Sequence, residues 1–286
     1  MSNSSPLTPQ EILNVSLNVS ETKAKAGFLK LVILGILAGA FIAFAAEGSN
    51  MAAFNLLLKP ETFGLGRALA GAIFSVGLML VVLAGGELFT GNTLMIGGVI
   101  KRRITAVSML RNWVIVYIAN LAGSLLIAWC MSQTGLLHSG GEMLGVVTLR
   151  IAVTKVNFTF LSALILGVLC NWLVCLAVWI AFGSESMIGK IFGIFFPIWL
   201  FVTSGFEHSI ANMYYIPAGL IAKGDPAFVD AAMQLGMTQE ALDSLTWGSF
   251  FVDNLVPVTI GNIIGGCVFV SMAYLFAYRE KKKDDN

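Results

Sequence analysis

The chain has 286 residues, 57% hydrophobic and only 12% charged, with a mean hydropathy of +0.84 and a formal net charge of +1. Soluble domains carry about 25% charged and about 45–50% apolar residues. The composition therefore excludes a disordered chain, a nucleic-acid partner and nearly every soluble enzyme class, and the unit to count is the membrane span of about 20 residues.

Thr8-Pro9-Gln10-Glu11 predicts a capping box with proline in the first helical turn. Ile12, Val15 and Val19 follow at helical spacing, so residues 1–26 are expected to form an amphipathic helix on the membrane surface or under a channel mouth. Six spans follow, in a transport domain placed at 27–279. They run over 28–46, from Leu69 through Gly85-Gly86-Glu87 to Ile100, over 107–131, over 158–182, from Ile191 through Gly205-Phe206-Glu207-His208 to Ile221, and over 250–278. Asp225 and Thr238 predict N-caps of short helices before the sixth span, and 280–286 is a charged tail. An even number of spans leaves both termini on one side. With the N-terminus inside, twelve of the seventeen Lys and Arg face inward, which predicts cytoplasmic termini in the inner, cytoplasmic membrane.

The two halves resemble each other. Phe28-Leu29 with Ile33-Leu34-Gly35 aligns with Phe160-Leu161 and Ile165-Leu166-Gly167. Gly85-x-Glu87-x4-Asn92 aligns with Gly205-x-Glu207-x4-Asn212, and Asn112-x7-Asn120-x2-Gly123 with Asn254-x7-Asn262-x2-Gly265. Three spans per half make the repeat inverted, the architecture of transporters and channels whose site lies at the midplane. Gly85, Glu87, Gly205 and Glu207 fall in mid-span, which predicts broken second and fifth helices. Carboxylates beside unwound backbone are expected to accept its freed N–H groups. Each break aims a half-helix N-terminus at the centre, a site for an anion. Gly35/Gly39, Ala119/Gly123 and Gly261/Gly265 permit close helix contact.

Glu87-Leu88-Phe89-Thr90-Gly91-Asn92-Thr93, Gly205-Phe206-Glu207-His208-Ser209-Ile210-Ala211-Asn212-Met213 and Pro257-Val258-Thr259-Ile260-Gly261-Asn262 closely resemble motifs of the formate/nitrite transporter family, over roughly residues 25–280. One departure is Glu87, where some formate-branch members carry aspartate. The resemblance implies an all-α polytopic membrane protein with an aquaporin-like protomer, assembled as a homopentamer in the lipid bilayer, with one pore per protomer for small monovalent anions. Carried over by position, His208 is the central pore histidine, Thr90 faces it, and Lys155 is the lysine placed near it. Phe74, Leu78, Leu88, Phe89 and Phe201 match positions lining apolar constrictions, and Asn171 and Asn262 match polar positions around the pore.

The residues also allow plainer roles. A lone span histidine can be a structural hydrogen-bonder, but beside a helix break a substrate or proton-donating role is the better reading. Thr90 can cap the half-helix as well as face the pore. Lys155 taken alone is an interfacial, snorkelling lysine, and the Phe and Leu positions taken alone are bundle packing. His138 has no assigned role. Cys130, Cys170, Cys175 and Cys267 lie in apolar runs without metal-ligand spacing, so no metal or cofactor is expected. Formate is the first expected anion, with nitrite or hydrosulfide as alternatives and protons as co-participants. A neutral-solute channel of aquaporin type is the reading from a different class, although the paired Asn-Pro-Ala signature is missing. No catalytic motif stands within the spans, so the protein is not expected to be an enzyme.

Overall fold

The computed structural model describes residues 6–278; the expected tail at 280–286 and the basic residues Arg279 and Lys281 to Lys283 lie outside them. The described residues form helices and no strand: α1 (Pro9–Ala24), α2 (Phe28–Leu57), α3 (Pro60–Gly85), α4 (Phe89–Ile100), α5 (Ala106–Ser132), α6 (Met143–Val156), α7 (Phe160–Phe182), α8 (Met187–Ser204), α9 (Ser209–Ala222), α10 (Pro226–Gln234), α11 (Gln239–Ser244) and α12 (Trp247–Ala277). Six of them, α2, α3, α5, α7, α8 and α12, are long and apolar enough to cross a membrane.

Local chemistry sets most boundaries. The Thr8 hydroxyl accepts from the Glu11 N–H at 3.4 Å and the Glu11 carboxylate accepts from the Thr8 N–H at 2.7 Å, forming the expected capping box. Thr105 and Thr159 cap α5 and α7, and Asp225 and Thr238 cap α10 and α11 as expected. Helix α2 runs eleven residues beyond the expected end of the first span at Ala46. The polar residues that read as a boundary are buried inside the bundle instead. Ser49 donates to the Ala70 carbonyl at 2.9 Å, and the Tyr214 hydroxyl donates to the Glu47 carboxylate. The second span likewise starts at Pro60 rather than Leu69, and α6 is a helix in a stretch for which the sequence predicts no element.

Helix α2 packs on α5 and α7 packs on α12, and the discontinuous pair α3 and α8 lie against each other. Both lateral crossings use the small-residue pattern: a Cβ on Gly123 would collide with the Ile36 carbonyl, and one on Gly265 with the Val168 carbonyl. These positions are repeat mates, so the two halves close in the same way. Both breaks are real. Helix α3 ends at Gly85 (φ +99°) and α8 ends before Gly205 (φ +82°), left-handed conformations that a side chain strains. Helices α4 and α9 then restart at Phe89 and Ser209. Within α12 the missing N–H of Pro257 coincides with a wider helical turn over Phe250–Leu255, which accommodates the proline ring.

Candidate functional site

A chain that leaves helical conformation inside an apolar medium must find partners for its backbone groups. Two asparagines supply them. Asn120 donates to the Gly35 carbonyl (2.8 Å) and the Glu87 carbonyl (2.9 Å), and its side-chain oxygen accepts from the Phe89 N–H (3.0 Å). Asn262 donates to the Gly167 carbonyl (2.8 Å) and the Glu207 carbonyl (3.0 Å), and accepts from the Ser209 N–H (2.9 Å). The Glu87 and Glu207 N–H groups donate to the Leu34 and Leu166 carbonyls at 3.0 and 3.2 Å. Asparagine suits this role because one short side chain carries both donors and an acceptor.

The carboxylates do a different job from the expected one. Instead of accepting freed backbone N–H groups, Glu87 pairs with the Lys23 ammonium at 2.8 Å and accepts from Asn92 at 2.8 Å. Glu207 pairs with Lys155 at 2.7 Å and accepts from Asn212 at 2.7 Å. Each outer asparagine bonds a further one, Asn112 or Asn254, at 2.7 Å, and these donate back to the Lys23 and Lys155 carbonyls at 3.3 and 2.8 Å. A charge removed from water needs an opposite charge as well as hydrogen bonds. The symmetry thus extends to α1 and α6, which bring equivalent lysines to equivalent breaks. In the sequence Lys23 counts only among the inward-facing cations. The signal was present, since the Phe28/Phe160 alignment continued five residues upstream pairs Lys23 with Lys155.

Two vestibules flank the breaks. One, of about 360 Å³, is walled by α3, α6 and α8 and includes Phe74, Lys155, Phe201, Gly205, Glu207 and His208. The other, of about 300 Å³, lies under α1 and includes Lys23, Leu78, Gly85, Glu87 and Leu88. Phe74 and Phe201 meet edge to face with centroids 5.8 Å apart, and the Phe201 ring lies 6.0 Å from the imidazole of His208. His208 is the N-cap of α9: its Nδ1 accepts from the Ala211 N–H at 3.0 Å. With Nδ1 an acceptor, the neutral ring carries its proton on Nε2 and points it at the Thr90 hydroxyl, 3.0 Å away. His208 is 3% exposed and Thr90 fully buried, so this bond lies in the partition between the vestibules.

The remaining candidates fall elsewhere. Asn171 and Asn262 are fully buried and line neither vestibule; Asn171 donates to the Asn262 carbonyl at 2.6 Å and to Thr90 and Thr93. Phe89 faces a lateral apolar groove between α5 and α12, with its ring 4.8 Å from that of Tyr117. The α6 vestibule also holds Arg67 and Arg150, and the α1 vestibule Lys30, so cations outnumber carboxylates in both. None of these three was singled out from sequence as a site residue.

Residues 10–276 match the family model described as "Formate/nitrite transporter". The chain is 38% identical over 285 residues to a probable formate transporter of Methanothermobacter thermautotrophicus, covering 95% of this chain and 97% of that one. It is also 38% identical over 274 residues to the formate channel FocA of Escherichia coli K12, covering 95% and 94%. Among solved structures, a pentameric formate channel with formate bound superposes with a TM-score of 0.77 at 36% identity, over 88% of this chain and 98% of that one. An FNT family ion channel gives 0.76 at 27% identity, over 93% and 98%.

Proposed function

This chain belongs to the formate/nitrite transporter family, and on that premise we propose that it passes small monovalent anions, formate first among them, through a pore in each protomer of a homopentamer. The protein is a multi-spanning membrane protein whose relatives are channels and transporters rather than enzymes. The observation that carries the reading is the partition: two cation-rich vestibules separated by apolar side chains, with one hydrogen-bonded pair, His208 and Thr90, between them. Cations raise the local anion concentration at both mouths. Phe74, Phe201, Leu78 and Leu88 exclude bulk water. A bare anion crosses such a zone only with hydrogen bonds or a proton supplied to it, and the Nε2–H of His208 and the hydroxyl of Thr90 are the groups in position. Relatives named as formate channels support formate over nitrite or hydrosulfide. The excess of cations in both vestibules argues against a neutral-solute channel.

In this reading residues 27–279 form the transport unit, and the α1 vestibule opens to the cytoplasm, where α1 lies across it. Gly85, Glu87, Gly205, Glu207, Asn171 and Asn262 hold the breaks, while His208, Thr90 and Lys155 face the permeating ion. Phe89 braces the start of α4 from the lateral side. His208 gives passage its proton dependence, because a ring proton or a hydrogen bond from it lowers the cost of the charge.

His208→Asn tests this directly. Asparagine is a favoured N-cap, so it keeps the bond to the Ala211 N–H that holds the start of α9 while removing titration between pH 5 and 8. In proteoliposomes the variant is expected to assemble normally and to lose the pH dependence of formate flux. Retention of the full wild-type pH profile would reassign His208 as a fixed hydrogen-bond donor. Permeation of glycerol in preference to formate and chloride would replace the anion reading altogether.

A further inference from the structure

The α6 vestibule is lined by four charged side chains, and they are not equivalent. Lys155 and Glu207 form a 2.7 Å ion pair with side chains 13% and 4% exposed, so Lys155 brings its positive charge already compensated. Arg150 stands farther out and donates to the Leu235 carbonyl. Arg67 lies inside a membrane-crossing helix, and no carboxylate stands within 4 Å of it among the described residues. An ionisable side chain that faces a cavity from such a helix is a functional candidate.

Its setting fixes what it can do. The Nη2 of Arg67 donates to the Val202 carbonyl, and Nε lies 3.5 Å from the Thr203 carbonyl, at the end of α8. These bonds orient one edge of the guanidinium against the break, where a Cβ on Gly205 would lie 3.3 Å from Nη2. Arg67 lines the cavity, and its Nη1 makes no hydrogen bond among the described residues. Arg67, Ala70 and Phe74 line the cavity from one face of α3, with the Cα of Arg67 about 10 Å along the axis from that of Phe74. A helix end of this kind does not itself require a cation. The equivalent end of α3, over Leu80–Gly85, receives no side-chain donor among the described residues, and the repeat mate of Arg67 is Met187. The positive charge is thus an addition to one half of a symmetric scaffold.

We propose that Arg67 is the anion-receiving residue of the α6 vestibule, its free Nη1 giving a small monovalent anion its first protein hydrogen bond and its compensating charge before the Phe74–Phe201 constriction. The proposal rests on the anion-passage reading above. Asn50 lines the same wall from α2, buried and with no partner for its amide nitrogen, and offers an uncharged polar contact across the cavity. Lys155, held by Glu207 and lying 5.3 Å from the centre of the Tyr215 ring, then serves the break rather than first capture.

The test uses the full-length protein in proteoliposomes, with formate added on the side that the α6 vestibule faces. Arg67→Gln retains a donor for the α8 carbonyls and removes the charge. It is expected to raise the half-saturating formate concentration on that side about tenfold and to flatten its dependence on ionic strength. Half-saturation from the α1 side should stay unchanged, and Arg67→Lys should restore most of the salt dependence. Asn50→Asp leaves the cap intact and sets a carboxylate on the same wall, so it should weaken capture in the same direction even where Arg67→Gln assembles poorly. Unchanged half-saturation and salt dependence in Arg67→Gln, or in Asn50→Asp if the former fails to assemble, would reduce Arg67 to a helix cap. Wild-type vesicles that pass no formate, chloride or nitrite would instead overturn the channel reading, whatever the variants do.

Discussion

Asn262→Ala removes the side chain that holds the second break, and its cost follows from which groups lose their only partner. The Ser209 N–H belongs to the first turn of α9 and has no intrahelical acceptor, and the Glu207 carbonyl stands outside any helix. The Gly167 carbonyl keeps its helical bond within α7 and loses little. Stranding a buried polar group costs about 1–3 kcal/mol, so the two together cost about 2–6 kcal/mol. Total stabilities are about 5–15 kcal/mol, which makes this a large loss, worth about 4–24 °C in melting temperature at about 2–4 °C per kcal/mol. Thermal melting of the purified oligomer, followed by size-exclusion fluorescence, measures it directly. Asn262→Asp sharpens the assay. It keeps the acceptor for the Ser209 N–H but turns a carboxylate oxygen toward two carbonyls, so it should not rescue. The repeat mate Asn120→Ala is expected to lose a similar amount, with Asn18→Ala on the exposed face of α1 as control. Melting of Asn262→Ala within about 2 °C of wild type would show that the break is held by packing, and that these hydrogen bonds do not govern it.

Lys155→Met leaves Glu207 buried without its cation and should destabilise by about 3–5 kcal/mol, whereas the double variant Lys155→Met/Glu207→Gln should recover most of that loss; equal melting of single and double variants would mean that the pair is not coupled. Deleting residues 1–26 removes Lys23 from Glu87 and uncovers the α1 vestibule, so the pH or direction dependence of flux should change while anion selectivity does not; an unchanged profile would exclude α1 from gating. The backbone and hydroxyl of Thr8 hold the Glu11 carboxyl below its usual value. A depressed folded-state value contributes helix stability that is present above the unfolded pKa and is lost as pH falls through the folded one. The protection of the Glu11 and Ile12 amides, measured relative to their intrinsic exchange at each pH, should therefore fall on acidification in wild type and be low throughout in Thr8→Ala; pH-independent protection in wild type would show that the capping box does not hold the start of α1.

The architecture was legible because two periodic signals survive in the residues: apolar runs of span length, and motifs repeated in order across the halves. The positions of the breaks followed from Gly85 and Gly205, where only a left-handed backbone ends the helix cleanly. Polar residues inside spans misled where tertiary partners decide their fate. Glu47, Ser49 and Asn50 look like an interfacial boundary, yet α2 continues past them because Ser49 and Glu47 find partners on α3 and α9. The roles of the carboxylates were hidden for a similar reason. Sequence separation between Lys23 and Glu87, or Lys155 and Glu207, carries no hint of contact until the repeat register is extended upstream. Arg67 lies two residues ahead of the expected start of the second span at Leu69, so its place within α3 follows only from the earlier start of that helix at Pro60.

The most informative property of the site is that its scaffold is symmetric and its chemistry is not. The bonds of the asparagines and lysines at the two breaks come in mates: Asn120 with Asn262, Asn92 with Asn212, Lys23 with Lys155. The residues facing one another across the partition break that rule. At the repeat position of His208 stands Leu88, and at that of Thr90 stands Ile210. Two equivalent half-helix starts therefore present one imidazole and one hydroxyl toward each other, bonded at 3.0 Å, rather than two copies of either. A symmetric pair of histidines would put two titrating rings in one dry constriction, where protonating one opposes protonating the other. A symmetric pair of threonines would offer no titratable group at all. In the function proposed above, one ring, tied at Nδ1 to its own helix start and bonded at Nε2 to Thr90, is the single titratable donor that an anion would meet between the vestibules. The duplicated frame holds that pair in place, so on the proposed reading substitutions in the frame should act on assembly and stability, and substitutions at His208, Thr90 and Arg67 on flux.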